Sequence, residues 1–213
     1  MPALYFRKYN SERFLAHDEQ RETTSPLLEA FTTNRRETLL ALVFAAGYGT
    51  CFYIVFVYLP EWLSSQGLME RSTALAINTA MTVMVLPLMP LGALVGDRLL
   101  PRRTWIALAL TLLCGAAVPL SIWMLATGGS LQAVVVTHAI TFALLAVPLG
   151  SGPALFVELF PASDRLSGYS VAFNLGVGVF GGLTPMLATS LIAATGVIIA
   201  PAWYLAVACA IAV

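Results

Sequence analysis

His138 is the one ionisable side chain, tyrosines and cysteines aside, that stands well inside a long apolar run of this 213-residue chain. An imidazole exchanges a proton near neutral pH, and an ionisable group in such a run is a functional candidate by default. His138 is therefore a candidate proton relay; the alternative is a neutral ring bonded to a nearby carbonyl or water. Tyr48, Tyr53, Asn78, Tyr169 and Asn174 are its uncharged polar counterparts. Left unpaired in an apolar medium they are costly, so they should face a cavity or bond to a neighbouring helix. Charge gathers elsewhere, in Asp97, Arg98, Arg102 and Arg103 and again in Glu158 and Arg165. Covalent or metal chemistry has no foothold. No HExxH, GxSxG, GxxxxGK[ST] or helix-entering GxGxxG occurs, and His17 and His138 lie too far apart to make a metal site by spacing. Cys51, Cys114 and Cys209 stand singly in apolar runs, with neither disulfide nor metal spacing. The chain does not read as an enzyme, and no metal or cofactor is expected.

The elements that carry these residues follow from where charge is missing. Hydrophobic residues make up 59% of the chain and charged ones 10%, against about 25% charged in soluble domains. Eleven basic residues balance eleven acidic ones, so no field recruits nucleic acid. Residues 38–60, 72–96, 104–157 and 166–213 carry no Asp, Glu, Lys or Arg. A spanning helix needs about 20 apolar residues, so the two longer stretches must each fold back, at Thr127-Gly128-Gly129-Ser130 and at Thr195-Gly196. The fold class is an all-α polytopic membrane protein. Six spans are predicted near 39–59, 73–95, 104–126, 131–157, 167–194 and 197–213, the last short enough to look truncated. A barrel would show strands of about ten residues alternating in polarity, and these runs are continuous.

Two parts are expected: a polar segment over 1–37 with short amphipathic helices, and the bundle over 38–213. Ser25-Pro26 and Asn34 with Glu37 read as helix starts. Ten of the eleven basic residues fall on the side that holds the N-terminal segment and the loops near 96–103 and 158–166. The positive-inside rule places that side in the cytoplasm of a cell inner membrane. Gly92 with Gly96 and Gly178 with Gly182 are small-residue pairs suited to close helix approach, and Pro87, Pro90, Pro119, Pro148 and Pro185 mark kinks. Tyr58, Trp62 and Trp203 suit an interfacial aromatic belt.

Three stretches carry a family resemblance. Pro153-Ala-Leu-Phe-Val-Glu-Leu-Phe-Pro161, running into Arg165 and Gly168, is similar to the end of helix ten in major facilitator superfamily transporters. Asn174-Leu-Gly-Val-Gly-Val-Phe-Gly-Gly-Leu-Thr-Pro185 resembles helix eleven of the metabolite:proton symporters, the proline/betaine, oxoglutarate and citrate carriers. Gly96-Asp97-Arg98 with Arg102-Arg103 resembles the loop between the second and third helices of each half, with one extra residue and Pro101 where glycine or arginine is usual. The resemblance spans nearly the whole chain and implies the C-terminal six-helix half of such a fold.

It also implies roles. Tyr53, Asn174 and Tyr48 become candidate contacts for a small organic carboxylate or zwitterion, and Asp97, Arg98, Arg102, Arg103, Glu158 and Arg165 a cytoplasmic charge brace. A carboxylate at a helix N-terminus gains roughly 0.3–1 kcal/mol, enough to bias two states without freezing one. The expected partners are the lipid bilayer, the solute, a coupling proton and a missing N-terminal half. The solute site would lie between the halves near the midplane. Alternatives are a half-size transporter working as a dimer and a non-transporting scaffold subunit.

Overall fold

A computed structural model describes residues 35–99, 130–160 and 165–212. Among them every regular element is helical. The first membrane-length helix runs from Arg35 to Ser65. It consists of α1 (Arg35–Phe52), a π-helical segment π1 (Tyr53–Tyr58) and α2 (Leu59–Ser65). Next come α3 (Arg71–Leu99) and α4 (Leu131–Glu158). The fourth long helix joins α5 (Arg165–Phe173) to a second π segment, π2 (Asn174–Gly181), and continues as α6 (Thr184–Thr195). Helix α7 (Ala200–Ala212) closes the described part. Four of these helices are long and apolar enough to cross a membrane. The predicted span over 104–126, the segment before Arg35 with its two helix starts, and Pro119 lie outside the described residues.

Local chemistry explains the ends. Ser130 caps α4, its hydroxyl accepting the Ala133 N–H at 3.3 Å. Gly196, at φ 69°, stops α6 in the left-handed conformation and gives its N–H to Ile192 O at 2.8 Å. The turn after α2 uses Gly67 at φ 68°. Each π segment gives way to an α-helix that carries a proline in its first turn, Pro60 in α2 and Pro185 in α6. That position suits the change of register. A π turn bonds five residues back, as Leu59 N–H does to Ile54 O, and the return to four-back bonding falls beside a residue with no N–H to place. This is also why the first helix continues to Ser65, past Pro60, where the charge pattern alone suggests a loop.

The first helix is the centre of the bundle. It packs on π2, α5 and α7, while α3 and α4 form the other large contact. Ala41, Ala45, Cys51, Ile54, Val55, Leu59 and Leu63 are all buried, on more than one face of the first helix. Tyr58 and Trp62 are buried with them, because their helix is packed on several sides, whereas Trp203 on α7 is exposed. Close approach between α1 and π2 rests on Gly49, Gly176 and Gly181. A Cβ on Gly49 would meet Val177 Cα at 2.8 Å, and one on Gly181 would meet Gly49 Cα at 3.0 Å. Gly178, picked out by its four-residue spacing from Gly182, has open space beside it. Gly92 does mark a close approach, with Val147 Cα 3.0 Å from a Cβ there, and Gly150 sits against the Met89 backbone.

Candidate functional site

The candidate residues fall into three layers along the first helix. At the Arg35 end, α1, α4 and α5 share an aromatic cluster. Phe156 packs on Phe44 with ring centroids 4.7 Å apart and on Phe173 at 5.5 Å, and Tyr169 stacks on Phe173 at 5.2 Å. Tyr48 joins the same cluster, edge-on to Phe156 at 5.9 Å. Its hydroxyl donates to Leu149 O across the α1–α4 contact at 3.4 Å, so the phenol is buried and its one proton already placed. The motif that suggested a family here is first of all a packing unit. Phe160 is buried, and its ring lies where a Cβ on residue 168 would have to sit, so any residue larger than glycine there must displace that ring.

The middle layer holds Tyr53, while Asn174 follows Phe173 of the aromatic cluster, near the level where Gly176 meets Ala45; each is the first residue of a π segment. A π turn re-aims side chains and recurs at functional sites. Tyr53 is half-buried beside Gly181, whose Cβ would meet the Tyr53 ring at 3.0 Å. Asn174 is exposed, its Nδ2 donating to Ser170 O at 2.7 Å. The two are not in one cluster. Tyr53 is level with Gly181, seven residues beyond Asn174 on the facing helix, or about 10 Å at ordinary helical rise.

The outer layer holds His138, buried with Nδ1 2.9 Å from Val134 O, the carbonyl one turn back. Its ring stacks on Phe142 at 6.3 Å, and Phe142 packs against Phe56 of π1 at 4.5 Å. Asn78 of α3 donates through Nδ2 to Phe56 O at 3.0 Å. Tyr48 and Asn78 thus both bond to backbone carbonyls of a neighbouring helix. The sequence offered one clue to each partner, a proline four residues after the carbonyl.

Of the charged set, Glu158 closes α4 and is exposed. The side chains of Asp97, Arg98 and Arg165, and all of Arg102 and Arg103, lie outside the described residues. Glu61 pairs with Arg71 at 3.1 Å, bridging α2 and α3 at the far end. A groove of about 280 Å³ opens between α1, π2 and α7, lined by apolar side chains with Thr50 and Tyr204. None of the candidate contacts lines it. Among the described residues no group of three or more metal-ligating side chains gathers.

Long apolar helices packed through glycine, with in-span polar groups bonded to carbonyls, define a polytopic α-helical membrane protein. The family model described as "Sugar (and other) transporter" matches residues 7–213, so the chain belongs to that family, within the major facilitator superfamily. Its members are transporters, not enzymes. Over 174 residues the chain is 29% identical to an ectoine/proline transporter of Corynebacterium glutamicum, covering 80% of this chain and 33% of that protein. It is 29% identical over 176 residues to a citrate-proton symporter of Klebsiella pneumoniae, covering 82% and 39%. A citrate-proton symporter of Salmonella typhi is 26% identical over 196 residues, covering 92% and 44%. The chain spans less than half the length of these relatives. No solved structure matches it significantly.

Proposed function

We propose that this chain forms the C-terminal half of a secondary carrier that moves a small carboxylate or zwitterion together with a proton. The observation that carries the reading is the family match over residues 7–213 together with relatives named for citrate, proline and ectoine. Tyr53 and Asn174 are the proposed solute contacts, since π segments re-aim them from the central helix and its closest neighbour. Asp97, Arg98, Arg102, Arg103, Glu158 and Arg165 are the proposed brace on the cytoplasmic side, with the N-terminal segment on that side as well. The proton route through His138 is the finer part of the proposal; the histidine is buried on α4, against π1 through Phe142. The second wall of the solute site would come from a further six-helix half.

The test is uptake of radiolabelled citrate, proline and ectoine by cells expressing the gene in its natural reading frame, with and without a protonophore. Accumulation that collapses with the proton gradient supports symport. Accumulation indifferent to it removes the coupling, and no uptake of any carboxylate or zwitterion removes the carrier reading.

A further inference from the structure

Two polar side chains inside the spans bond to backbone carbonyls of neighbouring helices, and both carbonyls stand four residues before a proline. In an α-helix the N–H of residue 153 would go to Leu149 O, but Pro153 has none; Tyr48 OH donates to that oxygen at 3.4 Å. Phe56 lies in π1, and where four-back bonding resumes beyond Leu59 the residue that would bond to Phe56 O is Pro60, which has no N–H. Asn78 Nδ2 donates to that oxygen at 3.0 Å. In a bilayer interior such carbonyls have no water to turn to, so a donor from a neighbouring helix is the available remedy. Asn78 keeps this bond at a cost: its Oδ1 is buried without a hydrogen-bond partner. The carboxamide is held there by its donor half.

The placement of the two bonds gives them a joint consequence. Tyr48 ties α1 to α4 five residues before Tyr53, and Phe56 ties π1 to α3 three residues after it. We propose that Tyr48 and Asn78 are positioning residues. They replace the N–H groups missing at Pro153 and Pro60, and so anchor the stretch carrying Tyr53 on both sides. Tyr48 is thereby assigned to holding the central helix rather than to touching solute. The consequence for solute binding rests on the carrier reading; the anchoring itself does not.

The experiment is a pair of double-mutant cycles on the full chain, purified in mixed micelles and unfolded by titration with dodecyl sulfate. Tyr48→Phe and Asn78→Leu should each lower the folding equilibrium about threefold, the size of an interhelical hydrogen bond in membrane proteins. In a Pro153→Ala background the effect of Tyr48→Phe should vanish, because the backbone again supplies the donor. Pro60→Ala should do the same for Asn78→Leu, and the crossed combinations should not rescue. Asn78→Ala replaces the leucine variant if leucine is not accommodated. Losses that persist undiminished in the matching proline backgrounds would overturn the proposal, since they would reflect packing alone. In the uptake assay, both variants should raise KM with kcat within twofold, and the matching proline replacement should restore KM. Rescue in the micelle with unchanged KM in cells would overturn the positioning role. If the unaltered protein takes up no solute, the carrier reading falls and the cycles still decide the anchoring.

Discussion

Single atoms decide which glycines matter. Gly150 sits against the Met89 backbone, so a methyl group there must push two helices apart. Gly150→Ala should cost about 1–3 kcal/mol, the usual range for overpacking, read as a shift in the dodecyl sulfate midpoint. Gly178 has nothing within 4 Å of its missing Cβ. Gly178→Ala should leave the midpoint unchanged or raise it slightly, since alanine is the better helix former by up to about 1 kcal/mol. Equal losses at both positions would mean that the α3–α4 contact is not as close as described. The spacing of four residues could mark π2 as glycine-rich but not choose the face, because the contact uses Gly176 and Gly181 against Gly49. Polar residues were legible in the same partial way. Tyr48 and Asn78 had to be satisfied somewhere in an apolar bundle; the prolines at 153 and 60 mark Leu149 and Phe56 as carbonyls in need of a donor, but only the packing of the helices pairs each with its partner.

At the scale of elements, breaks and ends follow local chemistry closely. Gly196 adopts φ 69° to end α6; a side chain there costs roughly 1–2 kcal/mol in the left-handed region. Gly196→Ala should lower the melting temperature in detergent, and an unchanged value would mean that the turn before α7 is formed differently. Ser130→Ala should cost about 1 kcal/mol through loss of the α4 cap. By contrast Glu61 and Arg71 are 56% and 69% exposed, so Glu61→Gln should leave the melting temperature unaltered. The π segments were not legible at all. A π turn keeps the same apolar composition as an α turn, and only the hydrogen-bond register distinguishes them. Pro60 and Pro185 mark where each α-helix resumes, yet read from composition alone they signal a loop or a kink.

At the scale of the whole molecule, the arrangement across the membrane is open to direct measurement. In a chain whose three cysteines are replaced, Arg36→Cys and Ser65→Cys lie at the two ends of the first helix. With the charge bias followed, an impermeant maleimide should label Ser65→Cys in intact cells and Arg36→Cys only after permeabilisation. The reverse pattern would overturn the proposed orientation. The large exposed side chains of α3, Val83, Leu86 and Leu91 among them, and of the fourth long helix, Phe180 and Met186, call for lipid or another helical surface rather than water.

The sequence by itself determined the class of protein, because the length of an apolar run and the scarcity of charge are properties of the chain, independent of what packs on what. The three quoted stretches likewise pointed to the superfamily that the match over residues 7–213 establishes. Only the tertiary structure decided that the first helix is central, that Gly49, Gly176 and Gly181 set its closest contact, and that Tyr48 and Asn78 bond to carbonyls beside prolines. Each of these depends on which faces of two helices meet. A face is chosen by the sum of all contacts along both helices, and neither helix carries that sum in its own residues.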